Sequence, residues 1–330
     1  LPNTGTETVT MTVGEAVEKH IIANEVLGYF VGTTKQLLVR AGVDPARLRF
    51  RQHLQDEMAH YAADCWDAEA LLSFGWTEIT GIADRGCWDL SRHAQFSGAD
   101  LSHFKRFDEP REEEVEKVRP NSKKVGPMFK GKAKAVSDAI AAKTPADISD
   151  GKLSIDVDGE EIVLDGDMFE VVKVKEKVAG ERIVPHVIEP SHGLDRIFYT
   201  VLEHAYSYDK DKDYTTLRLA PEVAPIKVGV FPLMEKDGLD TFAKDLCEKI
   251  HTHRVEAYYD GSGTIGKRYA RMDEAGTPWC ITVDYDTLDG ENKGTVTLRD
   301  RDSAEQKRIK AEDAETIISE LLAGKKFSDL

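Results

Sequence analysis

Residues 183–204, IVPHVIEPSHGLDRIFYTVLEH, pass from one apolar spacing to another. The first part, 183–188, is a short apolar run of the kind found in a strand that is buried on both faces. Proline, serine and glycine interrupt that run at 190–193, and apolar residues then recur at helical spacing over 197–202. The segment therefore predicts a strand, a tight turn and a helix.

Two charged residues bracket this turn. Glu189 closes the predicted strand, and Arg196 lies in the first turn of the predicted helix. An arginine at that position opposes the helix macrodipole, whose positive end is at the N-terminus. The placement favours an anion bound beside the turn, although an ordinary strand–turn–helix with solvated ends also explains the spacing.

The composition bounds the class of protein. With 330 residues, 41% of them apolar, the chain can bury a sizeable core and is expected to hold two or three domains. It has no apolar run of about 18 residues, so no membrane span is expected. The net charge of −16 argues against a non-specific nucleic-acid binder, but local basic patches leave contact with RNA open.

The cysteines are scattered along the chain without a CxxC pair. They are Cys65, Cys87, Cys247 and Cys280. This pattern predicts free thiols in a reducing compartment, and it predicts neither a disulfide framework nor a zinc site.

Residues 48–72 contain a possible pair of metal ligands. Residues 48–53, LRFRQH, alternate as a strand with two arginines on one face, and residues 55–72 are predicted as a helix. On that helix His60 and Asp64 would lie one turn apart and could ligate a metal. No third ligand has a fitting spacing, so a polar helix face beside an active site is the favoured interpretation and no metal site is predicted.

The following predicted strand carries a carboxylate in apolar surroundings. Alternation places Glu78, Thr80 and Ile82 on one face and Ile79 and Gly81 on the other. A buried glutamate is costly without a partner, so Glu78 taken alone is interpreted as a structural carboxylate that has one.

Two short patterns have a structural interpretation as well as a functional one. Arg85 and Asp89 are four residues apart and are expected to pair with each other. Residues 261–266, GSGTIG, match the GxGxxG pattern between a predicted strand and helix. That match is weak because no acidic residue ends a strand about 20 residues further on. A nucleotide-dependent oxidoreductase therefore stays open as an alternative.

The composition changes between residues 105 and 182. Residues 108–117, DEPREEEVEK, are charge-dense and are predicted as a solvated helix or linker. The lysine-rich segment 123–134 could contact a phosphate backbone, although a charge run is more often a solvated face. A compact α+β unit is predicted from a helix at 133–142 and strands at 152–157, 161–164 and 170–174, the first two strands joined by an Asp158–Gly159 turn.

Several of these segments together resemble one family. The VIEPS and GLDR sequences within 187–196 look like motif 3 of a class II aminoacyl-tRNA synthetase, in the form found in archaeal and eukaryotic glycyl-tRNA synthetases. The stretch GWxExxGIADRxxxDLxxH, residues 75–93, is a stronger match to the same family. Residues 261–284 and 295–303 resemble its C-terminal anticodon-binding domain. The resemblance extends, in order, over nearly the whole chain.

The resemblance implies a multidomain α/β and α+β fold. It contains part of the antiparallel-sheet catalytic domain of a class II synthetase, an α+β insertion and an α/β anticodon-binding domain. The implied domains are 1–104 (catalytic), 105–182 (insertion), 183–217 (catalytic, motif 3) and 218–330 (anticodon-binding). No motif 1 or motif 2 is found before Leu1, so the chain is expected to be the C-terminal part of a synthetase with doubtful activity alone.

The resemblance also implies the chemistry and the residues that perform it. The activity would be glycine–tRNA ligation, with ATP-dependent formation of glycyl-adenylate, Mg²⁺ arriving with the ATP, and transfer of glycine to its tRNA. Arg196 would be catalytic, as a clamp on the ATP phosphates. The other implied contacts are Glu189, Pro190 and Ser191 for glycine, and Glu78, Ile79 and Gly193, with Arg196, for ATP.

The remaining implications concern the partners. The implied tRNA contacts are Lys267, Arg268, Arg271, Arg299 and Arg301. The intact protein is expected to be a cytoplasmic homodimer. His192 departs from the family, which usually has phenylalanine there. A catalytically inactive, synthetase-like nucleic-acid-binding protein is the alternative; it would have no need for Glu78, Glu189, Ser191 and Arg196 together.

Overall fold

The computed structural model describes residues 8–211, 213–252 and 255–330. The chain forms two compact units, one from Leu1–Asp89 with His186–Leu330 and the other from Leu90–Pro185. The architecture is mixed α/β with several antiparallel sheets, in outline as predicted. Among the described residues no helix is long and apolar enough to cross a membrane.

In the described ranges, the strands form five sheets, with helices packed around them. The helices are α1 (Val13–Glu18), α2 (Glu25–Arg40), α3 (Trp88–Ser97), α4 (Ser122–Phe129), α5 (Ala133–Ala141), α6 (Leu194–Ala205), α7 (Leu239–Ile250), α8 (Ile265–Ala275), α9 (Tyr285–Leu288) and α10 (Ala314–Leu322). The strands of the first unit are β1 (Leu48–Gln52), β2 (Asp64–Leu72), β3 (Gly75–Asp84), β9 (Ile188–His192), β10 (Tyr206–Asp209), β11 (Tyr214–Leu217), β12 (Val228–Pro232), β13 (Ala257–Tyr259), β14 (Trp279–Val283), β15 (Thr295–Asp300) and β16 (Gln306–Lys310). Those of the second unit are β4 (His103–Pro120), β5 (Ile148–Ser149), β6 (Lys152–Val157), β7 (Glu160–Asp165) and β8 (Phe169–Ile183).

The first sheet is antiparallel, with the order β1-β2-β3-β9. One of its faces is apolar and packs against α2 and α6, because Ala68 and Ile79 share a core with Leu38 and Ile197. Ile82 extends this face towards α1 and the start of α2. Successive side chains of a strand point to opposite faces, so the same strands present a second, polar face.

The predicted strand before the motif 3 turn begins later than expected. Ile183 ends β8 in the second unit, and the strand paired with β3 is β9, which includes Pro190. Proline cannot donate a ladder hydrogen bond, but β9 is at the edge of its sheet, where this loss is tolerated. The helix that follows, α6, is where the apolar spacing predicted it.

The helix predicted over residues 55–72 is wrong, because Asp64–Leu72 is the strand β2. This strand lies between β1 and β3, so both of its edges are hydrogen-bonded. Ala68 and Ala70 face the core, whereas Asp67 and Glu69 face Arg51 and Arg49 of β1, an arrangement that the sequence of β2 alone does not reveal. His60 and Asp64 are therefore not one turn apart on a helix.

The second unit has its own core beneath a long two-stranded ribbon, β4–β8. Residues 108–117, predicted as a solvated helix or linker, belong to β4. Their charges are compatible with a strand because they pair across the ribbon, as Lys117 does with Glu176 at 2.6 Å. The helix α5, the strands β6 and β7, and the turn at Asp158 and Gly159, both with positive φ, are as predicted.

The chain after residue 225 forms a five-stranded sheet with the order β13-β12-β14-β15-β16. The strand β12 is parallel to β13 and β14, whereas β15 pairs antiparallel with both β14 and β16. α7 and α10 contribute apolar side chains to its core, including Leu246 and Ile318 against Val228 and Ile281. This is the α/β pattern predicted for the last part of the chain.

The hairpin β10–β11 and the segment after it are hydrogen-bonded to the last domain. The phenol of Tyr214 donates to a carboxylate oxygen of Asp273 at 2.8 Å. The guanidinium of Arg301 donates to the carbonyl oxygens of Leu217 and Leu219 at 3.2 and 3.0 Å. Residues 206–209 and 214–217 therefore form a paired, structural hairpin.

Gly276, which ends α8, offers a test of this junction. Its φ is +82°, and a Cβ there would lie 2.7 Å from a methyl carbon of Leu219. We expect Gly276→Ala to lower the free energy of unfolding by about 2–4 kcal/mol, since left-handed strain and overpacking add. Gly290→Ala is the matched control, because Gly290 has φ +89° but open space around it. Urea denaturation of both variants measures the difference, and equal losses would contradict the packing at Leu219.

Candidate active site

The polar face of the first sheet is built from rows of opposed residues. Across the four strands, Arg51 lies opposite Asp67, Asp67 opposite Gly81, and Gly81 opposite Ser191. Directly opposed residues in a sheet point to the same face. The flanking rows are Arg49–Glu69–Glu78 on one side and Cys65–Ala83–Glu189 on the other.

A bulge in β3 makes this arrangement possible. The pairing of β2 with β3 shifts at this point, because Glu69 faces Glu78 whereas Ala68 faces Thr80, so Ile79 is an extra residue. The alternation is therefore interrupted. Thr80 lies on the opposite face from Glu78, in contrast to the sequence prediction. The side chain of Ile79 is buried in the core, and Glu78 stays on the polar face.

Two arginines of β1 neutralise the buried carboxylates of β2. Arg49 and Arg51 both donate from Nε to Glu69, at 2.6 and 3.1 Å, and the Glu69 side chain is only 10% exposed. Arg51 also lies 3.5 Å from Asp67. Burying a carboxylate without such partners would be costly. The alternation in LRFRQH predicts these two arginines on one strand face, but it does not predict which carboxylates they contact.

The start of α6 is docked on the bulge. The amide of Gly193 donates to the carbonyl oxygen of Ile79 at 2.9 Å. Arg196 donates from Nη1 to the carbonyl oxygen of Glu78 at 2.9 Å and lies 3.3 Å from its carboxylate. About half of each of these two side chains is exposed (56% and 49%), which leaves them accessible to a ligand. The structure thus brings Glu78, Ile79, Gly193 and Arg196 together.

Arg85 is the centre of a second charged group. It pairs with Asp89, as predicted, at 2.5 and 3.1 Å, and its Nη1 also donates to the carboxylate of Glu189. Its guanidinium lies 3.8 Å from the ring centre of Tyr61. The hydrogen bonds to Asp89 and Glu189 raise the pKa of Arg85 further above its ordinary value, so it remains charged. No local pattern predicts the contact with Glu189, which is 104 residues away in the sequence.

The other predicted glycine contacts lie along β9. Ser191 is exposed on the polar face, opposite Gly81, and Pro190 is half-buried opposite Ile82. His192 lies on the other face, with Nδ1 3.2 Å from the hydroxyl of Thr80.

At the other end of the polar face lies a histidine–aspartate pair. His53 Nε2 is 2.8 Å from an oxygen of Asp67, whose side chain is 7% exposed. Burial raises the pKa of Asp67, and the hydrogen bond from His53 only partly offsets this. Burial, together with the nearby carboxylates of Asp67 and Asp64, raises the pKa of the Cys65 thiol to about 11.

Two of the predicted tRNA contacts are structural, and the prediction needs correction there. Arg268 is 2% exposed and donates to carbonyl oxygens in the loop before α8 and at Pro232. Arg301 is 5% exposed and donates to carbonyls of the hairpin junction. Buried guanidinium groups with these partners cannot reach a nucleic acid without disruption of the fold.

The remaining basic residues differ in accessibility. Arg299 makes two 3.0 Å bonds to Asp273 and its side chain is only 13% exposed. Arg271 pairs with Asp260 but keeps 40% of its side chain exposed. Lys267 is exposed. Lys267 and Arg271 are therefore the members of the predicted set that a nucleic acid can reach.

The GSGTIG loop has the opposite polarity from a phosphate-binding loop. The carbonyl oxygens of Gly261 and Gly263 point at the guanidinium of Arg268, and the amide of Ser262 donates to Asp260 at 2.9 Å. A phosphate-binding loop instead directs its amides at the anion. This geometry counts against the dinucleotide-binding alternative.

Comparison with known proteins gives consistent matches. The family model described as an anticodon binding domain matches residues 227–321. The glycine–tRNA ligase of Methanothrix thermoacetophila is 50% identical over 317 residues, 95% of this chain and 54% of that protein. Those of Archaeoglobus fulgidus and Methanococcus vannielii are each 46% identical, over 96% and 95% of this chain and 55% of each protein. The chain spans about half the length of the curated relatives it matches.

The structural role of Arg268 can be tested directly. We expect Arg268→Ala to lower the free energy of unfolding of the last domain by about 2–4 kcal/mol, because it leaves buried carbonyl oxygens without donors. Its exposed neighbour provides the control, and Lys267→Ala is expected to leave stability unchanged within error. Urea denaturation followed by tryptophan fluorescence measures both. If Arg268→Ala is as stable as the parent, the buried hydrogen bonds are not what holds this loop.

Proposed function

We propose that this chain, which is homologous to the glycine–tRNA ligases along nearly its whole length, supplies part of the glycine-activating site and the tRNA-binding domain of such an enzyme. The observation that carries the proposal is the meeting of Glu78, Ile79, Gly193 and Arg196 on a charged sheet face. In this proposal residues 1–104 and 183–217 are catalytic, 105–182 form the insertion, and 218–330 bind the anticodon.

The proposed reaction has two steps. In the first, a carboxylate oxygen of glycine attacks the α-phosphorus of ATP, the bond to the β-phosphate oxygen breaks, and pyrophosphate leaves. In the second, a ribose hydroxyl at the end of the tRNA attacks the glycyl carbonyl, loses its proton and displaces AMP. Positioning and charge stabilisation on phosphate oxygens supply most of such catalysis. Mg²⁺ enters with the ATP as part of the substrate.

Arg196 is the proposed phosphate ligand. Its guanidinium is half-exposed, and the bond to the Glu78 carbonyl holds it over the sheet. Charge-assisted hydrogen bonds from arginine to phosphate are among the strong ones in proteins. Glu78 and the backbone of Ile79 are the proposed adenine contacts. When ATP binds, the Arg196 guanidinium would exchange its 3.3 Å contact with the Glu78 carboxylate for phosphate oxygens.

Glycine would bind further along the same face. Glu189 and the Ser191 hydroxyl are next to each other on this side of β9 and suit an ammonium group, with Pro190 fixing the backbone between them. Arg85, in contact with Glu189, places a cation beside that anion. A zwitterion such as glycine offers the complementary pair of charges. Rejection of alanine would need walls too close for a methyl group, since one methyl in a pocket provides only modest discrimination.

The proposed tRNA partner engages the last domain. Lys267 is exposed and Arg271 is partly exposed along the first two turns of α8, and both suit phosphate contacts. The five-stranded sheet lies within the part of the chain that matches the anticodon-binding model. The intact protein is proposed to act as a homodimer.

A catalytically inactive nucleic-acid-binding protein is the alternative function. It would require the last domain but not the charged face. The exposed pair of Arg196 and Glu78, on the sheet face that also carries Glu189 and Ser191, favours the enzymatic proposal, because a nucleic-acid-binding module has no need for these four residues together.

Nucleotide binding tests the proposed role of Arg196. We expect Arg196→Ala to weaken ATP binding by at least about tenfold, since a hydrogen bond to a charged group contributes about 1.5–3 kcal/mol. Arg40→Ala is the matched control, because Arg40 is also an exposed arginine in an ion pair, with Glu222 at 2.9 Å. Isothermal titration calorimetry with Mg²⁺-ATP gives both affinities. Equal ATP affinities for the two variants would contradict the proposal that Arg196 binds the phosphates.

Glycine-dependent exchange between ATP and pyrophosphate tests how much of the site this chain supplies. We expect the chain alone to exchange far more slowly than an intact glycine–tRNA ligase measured beside it, because Arg196 is the one arginine that the proposed phosphate clamp contains among the described residues. Exchange as fast as that of the intact enzyme would contradict the proposal that the chain supplies only part of the site.

A further inference from the structure

We propose that His53, Cys65 and Asp67 form a binding site for a zinc-class divalent metal ion on the polar face of the first sheet. The three side chains come from adjacent strands and the loop that extends one of them. The inference stands independently of the proposed function, because it rests on this cluster alone.

The backbone register brings the donors together. The amide of His53 donates to the carbonyl oxygen of Cys65 at 2.9 Å, which extends the β1–β2 pairing by one residue. Asp67 is two residues further along β2 and therefore points to the same face as Cys65. One potential ligand atom from each side chain lies within 4.8 Å of the other two. Ligand atoms around zinc lie about 3–4 Å apart, given bonds of about 2.0–2.3 Å, so small rotations would close the site.

The His53 ring turns Nε2 towards the other two donors. Nε2 is 2.8 Å from an oxygen of Asp67, so it is the ring nitrogen that would ligate an ion shared with Asp67. The ring proton would then be on Nδ1, which faces away from that oxygen. In the part of the chain that the structure describes, Nδ1 is the buried side-chain nitrogen or oxygen that has no hydrogen-bond partner, so no protein group fixes the tautomer in the way that would keep Nε2 from a metal.

The donor set indicates which kind of metal would bind. One imidazole, one thiol and one carboxylate suit zinc or cobalt, whereas magnesium and calcium prefer oxygen ligands. The thiolate and the carboxylate would neutralise the two charges of the ion. Three protein ligands leave a fourth position for water or a small ligand, which is the pattern of an open zinc site.

The sequence does not predict this site, because the spacing of residues 53, 65 and 67 matches no zinc-binding motif. Sequence analysis considered His60 with Asp64 on a helix and predicted no metal. The ligands instead come from two paired strands. His53 lies just beyond the end of β1, and Cys65 and Asp67 lie on β2. The three side chains come together because residues 64–72 form a strand and not the predicted helix.

Cobalt titration tests the proposal. We expect the metal-free chain to bind one Co²⁺ with a near-ultraviolet thiolate-to-cobalt charge-transfer band, and excess Zn²⁺, but not Mg²⁺, to abolish it. Cys65→Ser should eliminate the band. His53→Gln should weaken binding by at least about 100-fold, since the loss of an outer-shell partner alone costs about 10–100-fold. Absence of a band in the parent protein, or displacement by Mg²⁺, would overturn the proposal.

Matched variants show whether a loss is specific. Cys87→Ser removes another free, partly buried cysteine of the same unit, and His60→Gln removes a histidine of the preceding loop. Both should keep the band at full intensity. A metal-dependent rise in melting temperature that persists in Cys65→Ser would contradict the assignment, and circular dichroism of each variant separates loss of the site from loss of the fold.

Discussion

A single extra residue in β3, Ile79, organises the candidate site. The bulge sends the Ile79 side chain into the core and leaves its carbonyl oxygen to accept the amide of Gly193. The same irregularity leaves Glu78 on the polar face, where its own carbonyl oxygen receives Arg196. Without the bulge, Glu78 and Gly81 would lie on opposite faces, and the start of α6 would have no anchor on the sheet.

The two faces of this sheet have opposite electrostatic requirements. One is apolar and closed by α2 and α6, while the other carries carboxylates that need cationic partners at every row. Arg49 and Arg51 neutralise Glu69, and Arg85 neutralises Glu189. Charges paired in this way and partly accessible are suited to exchange one partner for a charged substrate. At His53 the described structure leaves a polar atom unsatisfied, since the buried Nδ1 has no hydrogen-bond partner.

Local patterns predicted elements better than they predicted contacts. The helix α6 followed from periodicity because its buried residues recur at helical spacing on one face. The strand β2 did not, because the charges of Asp67 and Glu69 are compensated by residues from another part of the chain, Arg49, Arg51 and His53. The arginines of the last domain show the same limit, since Arg268 and Lys267 are neighbours in sequence and only the fold separates the buried one from the exposed one.

The central claim is that the face around the bulge, rather than the GSGTIG loop, receives the nucleotide. Co-crystallisation of this chain with Mg²⁺-ATP and glycine tests it most directly. The account predicts electron density for the adenine beside Glu78 and the backbone of Ile79, with phosphate oxygens within hydrogen-bonding distance of the Arg196 guanidinium. Nucleotide density at residues 261–266, or an Arg196 guanidinium still bound only to Glu78 beside a nucleotide located elsewhere, would contradict it.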